Sequence, residues 1–254
     1  MKVIRAFFIS FSMYSAIPVP QFEWRREDMK YVFCFFPCVG AVTGLCVWLW
    51  GMTCAYLQIG NTAYTLAGTA IPLLLTGGIH ADGFMDTMDA LHSWQGREQK
   101  LEILKDPHIG AFSVLMLALY YLLYGAAFSE VSDRTGLALV CLGFMLSRIL
   151  SALAAILLRP AKKEGTLFTF TDSADRKHVT VVLAAELALC CAGILALSWR
   201  RGLLVLLCAS VCTVYYRRRS CREFGGVTGD TAGYFLLLSE AAIVIAAAVG
   251  CRLF

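Results

Sequence analysis

The sequence predicts an all-α polytopic integral membrane protein, with about six to seven transmembrane helices and a short N-terminal interfacial helix. Composition is the first reason: 59% of the 254 residues are hydrophobic, only 16% are charged, and mean hydropathy is +0.68. Soluble domains carry about 25% charged residues. The second reason is a series of apolar runs close to the roughly 20 residues that a spanning helix needs. The third is that the basic residues gather between those runs. The whole chain, 1–254, reads as a single membrane-embedded domain.

The N-terminal stretch from Val3 to Val19 is apolar but lacks a small-residue cleavage site and runs into the charged segment WRREDMK. That pattern predicts a short interfacial or re-entrant helix and not a cleaved signal. Candidate spans follow at 31–57, 62–79, 111–129, 136–158, 179–199, 202–216 and 232–250. Pro37 and Pro72 fall inside apolar runs and predict kinks or breaks. Between the second and third spans, Glu98, Leu101, Ile103 and Leu104 predict a short amphipathic helix lying on the membrane.

Basic loops alternate with neutral ones. WRREDMK, the 80–110 loop, RPAKKEG and YYRRRSCRE are basic, whereas QIGN is uncharged and SEVSDRT slightly acidic. Positively charged loops stay cytoplasmic, which places residues 80–110 on that side; Arg200 and Arg201 are the exception. The net charge of +4 is too mild to argue for nucleic acid and suits anionic lipid and anionic substrates. The eleven cysteines sit mostly in apolar runs without CxxC pairing or zinc spacing, so they read as small buried apolar residues.

The segment TGGIHADGFMDTMDAL, residues 76–91, carries the chemistry. Asp82, Asp86 and Asp89 are spaced four and three residues apart, which on a helix puts three carboxylates on one face at the end of an apolar run. Carboxylates this close repel one another, and a divalent cation such as Mg²⁺ relieves the repulsion while keeping positions open for substrate phosphates. Metal-assisted phosphoryl transfer at a membrane surface is the resulting expectation. Asp106 reads either as a fourth metal ligand or as a cap, and Lys105 either as a phosphate contact or as a snorkelling lysine. A second stretch, CREFGGVTGDTAGY at 221–234, has small residues through which backbone amides can approach phosphate, and Asp230 stands where the last span begins. Asp230 also suits a simple N-cap. Arg148, Glu186 and Glu240 lie within spans, where charge is costly; Arg148 reaches a diphosphate or pairs with one of the two glutamates.

These segments together resemble the cobalamin-5′-phosphate synthase family. The resemblance rests on TGGIHADGFMDTMDAL, REQKLEILKDPHIGAFSVL and FGGVTGDTAG, supported by AFFISFSMYSAIPVP, FFPCVGAVTG and RPAKKEG, in matching order from residue 4 to about 234. Ala90 stands where the family commonly has Gly. His108-Ile109-Gly110 stands where it commonly has Arg-Ile-Gly, so His108 is left out of the expected core site. The resemblance implies a Mg²⁺-dependent adenosylcobinamide-GDP ribazoletransferase of the bacterial cytoplasmic membrane, its site facing the cytoplasm. The 5′-hydroxyl of α-ribazole, or its 5′-phosphate form, would attack the donor's diphosphate and release GMP. Asp82, Asp86, Asp89 and Asp106 would then hold the metal. Asp89 is the first candidate for the base and Asp230 the second, with Lys105, Gly225 and Gly226 on phosphate. Homo-oligomerisation stays open.

Two other readings fit less well. A CDP-alcohol phosphotransferase expects Asp-x₂-Asp-Gly-x₂-Ala-Arg, but Asp86-x₂-Asp89 is followed by Ala90 and no Ala-Arg pair. A transporter expects carboxylates near mid-span and related halves; the aspartates stand at a span end, and no internal repeat is evident.

Overall fold

The computed structural model describes residues 2–254 and is helical almost throughout. Helix α1 (Lys2–Tyr14) is followed by a 3₁₀ turn (Met29–Cys34), α2 (Phe36–Leu57) and α3 (Asn61–Thr76). Next come α4 (Ile79–His92), α5 (Arg97–Ile103), α6 (Ala111–Ser129) and α7 (Arg134–Leu157). The chain closes with α8 (Thr166–Ser173), α9 (Arg176–Leu197), α10 (Trp199–Glu223) and α11 (Gly229–Leu253).

Among the described residues, five helices (α2, α6, α7, α9 and α11) are long and apolar enough to cross a membrane, and α3 with α4 makes a sixth if the bent pair counts as one. The chain is an integral membrane protein. The seventh expected span lies within α10, whose helix runs on through Arg217, Arg218, Arg219 and Arg222 and does not reach the apolarity of the others. A helix forms in the expected N-terminal stretch (α1), and a short one covers most of the expected 98–104 stretch (α5).

α7 and α11 are the most enclosed of the spans, while the outer faces of α6 and α9 are open. Small residues permit the closest crossings, as in membrane bundles generally. On α2, a methyl group at Gly40 would stand 2.3 Å from the Phe144 carbonyl oxygen of α7, and one at Gly44 2.3 Å from that of Cys141.

Pro37 does not kink a span. It sits in the first turn of α2, where its missing N–H leaves no bond unmade. Pro72 lies within α3, which continues to Thr76. The sharp turn comes at Gly77 and Gly78, with φ of +63° and +81°, and there the chain bends by 93° into α4.

The inner charges resolve as pairs. Arg148 of α7 donates to Glu240 of α11, with side chains only 1% and 6% exposed. Glu186 lies apart on α9, half-buried, with Oε2 unbonded. At the opposite end of the bundle from α4, Arg201 donates to Asp133 at 2.6 Å. The exception to the loop-charge pattern is thus partly neutralised by an acidic partner.

Candidate active site

The site is built where α4 crosses the start of α11. Gly83 makes the crossing possible: a methyl group there would lie 2.8 Å from the Asp230 carbonyl oxygen and 2.9 Å from its Cα. One turn further along α11, a methyl group at Gly233 would lie 2.8 Å from the His80 carbonyl oxygen. The two backbones therefore touch, and this contact brings Asp82 and Asp86 of α4 to Asp230 of α11. Asp86 lies within electrostatic reach of Asp82, Asp230 and Asp89. Asp82 is exposed, and Asp86 and Asp230 are half-buried.

Another residue caps the helix of Asp230, whose Oδ2 accepts from the Thr228 hydroxyl at 3.3 Å. The Thr228 hydroxyl accepts from the Thr231 amide at 3.1 Å, and the Thr231 hydroxyl accepts from the Thr228 amide at 2.9 Å. This reciprocal box makes Thr228 the N-cap and disposes of the simple-cap reading of Asp230. Both Asp82 and Asp230 occupy the first turns of their helices, where exposed amides favour negative charge.

Asp89 has other work. Its Oδ2 accepts from the Gly110 amide at 2.8 Å and its Oδ1 from the Ser113 amide at 2.9 Å. It thereby satisfies two amides at the start of α6, which has no side-chain cap of its own. Asp106 is half-exposed on the α5–α6 connection, where its carboxylate accepts from the His108 amide at 3.0 Å and lies 2.6 Å from His108 Nδ1. These contacts hold its carboxyl below the usual range. Among the described residues, no three acidic, histidine or cysteine side chains converge at metal-ligating distance, so the expected four-aspartate shell is not assembled.

The smaller set still suits a divalent cation. Among the described residues, no hydrogen bond or ion pair reaches the carboxylate of Asp82 or Asp86, although the two stand close enough to repel. Mg²⁺ is typically bound by one or two carboxylates, with water and substrate phosphate completing the octahedron. Asp82 and Asp86 of α4 are donors of that kind.

Two cavities open beside Asp230. A polar one of about 370 Å³ is lined by Lys105, Lys162, Glu164, Thr228 and Asp230. A second of about 160 Å³ has Asp82 and Asp230 among its walls, together with Met13, Tyr14, Phe36 and Leu236. Lys105 is half-exposed and pairs with Glu164 at 2.8 Å and Glu102 at 3.5 Å. The sequence reading counted Lys162 only as part of a basic loop. It donates to the Leu101 carbonyl at 2.7 Å, and burial, with repulsion from Lys105, pulls its pKa below the usual lysine value.

Gly225 and Gly226 line neither cavity. Gly225 has φ +77° and lies beneath the Arg97 guanidinium, and its carbonyl accepts from Arg159 Nε at 2.5 Å. Gly226 packs on the Arg159–Ala161 backbone, where Val227 forms a bridge with Pro160. The turn serves to seat the 159–161 segment, and the part of the motif that reaches the cavity is residues 227–230.

Comparison with known proteins shows the family. A family model described as cobalamin-5-phosphate synthase matches residues 6–248. A protein of Lachnoclostridium phytofermentans named adenosylcobinamide-GDP ribazoletransferase is 40% identical over 98% of this chain and 97% of its own length. Proteins of the same name from Clostridium botulinum (strain Alaska E43) and Treponema denticola are 32% and 28% identical, covering 94% and 95% of this chain and 95% and 96% of their own lengths. No solved structure matches. With the family pattern covering nearly every helix of the bundle, the chain belongs to the cobalamin-5-phosphate synthase family.

Proposed function

We propose that this chain is an adenosylcobinamide-GDP ribazoletransferase that joins α-ribazole, or its 5′-phosphate, to the cobinamide phosphate and releases GMP. The observation that carries the reading is the meeting of Asp82, Asp86 and Asp230 from two helices, with Asp230 also lining a cavity that presents Lys105 and Lys162. Acidic donors beside basic groups suit a diphosphate substrate.

In the proposed reaction the acceptor 5′-oxygen attacks the cobinamide-bearing phosphorus. A new P–O bond forms as the P–O bond to GMP breaks. Asp230 takes the hydroxyl proton: it lies between the two cavities, and its helix is capped by Thr228. Asp89, the first candidate from sequence, has both carboxylate oxygens engaged by amides. Lys105 and Lys162 hold the diphosphate by charge. Asp82 and Asp86 would hold Mg²⁺, which when bound supplies charge neutralisation at the diphosphate.

We also assign the site to the cytoplasmic face of a bacterial cytoplasmic membrane. The support is charge: α5, the 158–165 loop and the basic end of α10 all lie on the side of α4.

The test is GMP release by protein reconstituted in liposomes and supplied with adenosylcobinamide-GDP, α-ribazole and Mg²⁺. The expected result is release that stops with EDTA, returns with Mg²⁺, and is strongly reduced in Asp82→Asn at the same Mg²⁺ concentration. Absence of release from folded protein under every divalent metal tried would overturn the assignment.

A further inference from the structure

The two cavities beside Asp230 differ in chemistry. The larger carries two lysines, a glutamate and threonine hydroxyls. The smaller is lined by Met13 and Tyr14 of α1, Phe36 of α2 and Leu236 of α11, with His80, Asp82 and Asp230 but no lysine or arginine. Tyr14 and Phe36 lie together, ring centroids 4.2 Å apart, and Tyr14 is 6.3 Å from the His80 ring in a stacked orientation. Such a slot disfavours a phosphate, because a charged group loses its hydration there without a cationic partner. It favours a flat apolar ring, which gains both burial and aromatic contact.

Size narrows the occupant. Cavities that bury a whole drug-sized ligand run to about 300–1,000 Å³. At about 160 Å³ this slot holds a single ring system and excludes a corrin or a complete nucleotide. An occupant carrying a polar arm would have to project that arm toward Asp82 and Asp230, the carboxylates on the wall.

We infer that the slot between α1, α2 and α11 is the acceptor-base site: it takes the flat two-ring base of α-ribazole and so presents the ribose 5′-oxygen to Asp230. This inference rests on the transferase reading and adds to it a division of labour. The lysine-lined cavity receives the diphosphate donor, and the aromatic slot selects the acceptor. Tyr14, Phe36 and Met13 are then specificity residues, and α1 is part of the active site instead of a peripheral anchor.

Two variants narrow the slot from opposite walls: Ala232→Leu on α11 and Met13→Trp on α1, both positions partly exposed and lining it. Two readouts are taken in liposomes. One is steady-state GMP release with each substrate varied in turn. The other is equilibrium binding of benzimidazole alone, followed by its own fluorescence without donor. The expected result is a KM for α-ribazole raised at least about tenfold, with the donor KM changed less than about twofold. Benzimidazole should bind the parent protein and be lost in both variants. Thermal unfolding identifies a variant that fails to fold, and the other then carries the test.

Active protein whose α-ribazole KM and benzimidazole binding ignore both variants would overturn the slot assignment and leave the transferase reading intact. Parent protein that binds benzimidazole in a manner abolished by both variants, yet releases no GMP, would support the slot and overturn the reaction. A lipid tail as the natural occupant predicts indifference of both readouts and overturns the slot assignment.

Discussion

Gly83 lies directly beneath the backbone of Asp230, so close that a methyl group would stand 2.8 Å from its carbonyl oxygen. The acidic site exists because this contact does. Gly83→Ala must push α11 away from α4. We expect a stability loss of about 1–3 kcal/mol and a much larger fall in GMP release, since a displacement near 1 Å at reacting groups costs on the order of a hundredfold. Purified variant that melts near the parent temperature but has lost turnover would match; parent-like turnover would show that the crossing is not required.

Asp82 and Asp89 share a helix face but do different jobs, and their asparagine variants separate them. Asp82→Asn should shift the Mg²⁺ concentration for half-maximal activity upward. Asp89→Asn keeps one carbonyl acceptor for two amides, Gly110 and Ser113. It should leave that midpoint in place and lower stability by about 1–3 kcal/mol. A Mg²⁺ titration beside a melting curve reads both, and an Asp89→Asn midpoint shift as large as that of Asp82→Asn would refute the division.

The buried Arg148–Glu240 pair ties the two central helices together. Removing one partner leaves an uncompensated charge inside the bundle. Arg148→Met or Glu240→Met alone should cost about 3–5 kcal/mol. The double variant should recover most of that loss, because no lone charge remains. Denaturation of the three proteins in one detergent checks this, and additive losses would refute it.

Lys100 donates to Glu223 at 2.5 Å, linking α5 to the end of α10, and Arg219 approaches the same carboxylate at 3.1 Å. This bond and the neighbouring cations hold the Glu223 carboxyl below the usual range. A depressed carboxylate stabilises the fold fully above its unfolded value, about 4.3, and that contribution is lost as pH falls through the folded value. Glu223→Gln should therefore be less stable than the parent at neutral pH and show a shallower loss of melting temperature below about pH 4.3. Parallel curves across the acid range would count against the linkage.

What the sequence by itself determined follows from periodicity and local composition. Long apolar runs with basic loops require membrane helices, because backbone groups in lipid must bond within their own segment. On that ground 111–129 coincides with α6, and 136–158 and 179–199 fall within three residues of α7 and α9. The helical spacing of Asp82, Asp86 and Asp89 was equally legible, as was the segment that ends in Asp230. Tertiary structure alone decided which of these acids meet. Asp89 and Asp106 carry the same charge as Asp82, yet one is held by the amides of α6 and the other by His108. The His108 contact is local, two residues from Asp106, but no local pattern announces the α6 amides that engage Asp89, because another helix brings them. The pairing of Arg148 with Glu240 and not Glu186, and the approach of Lys162 to Asp230, depend in the same way on side chains that are distant in sequence and adjacent only once the helices pack.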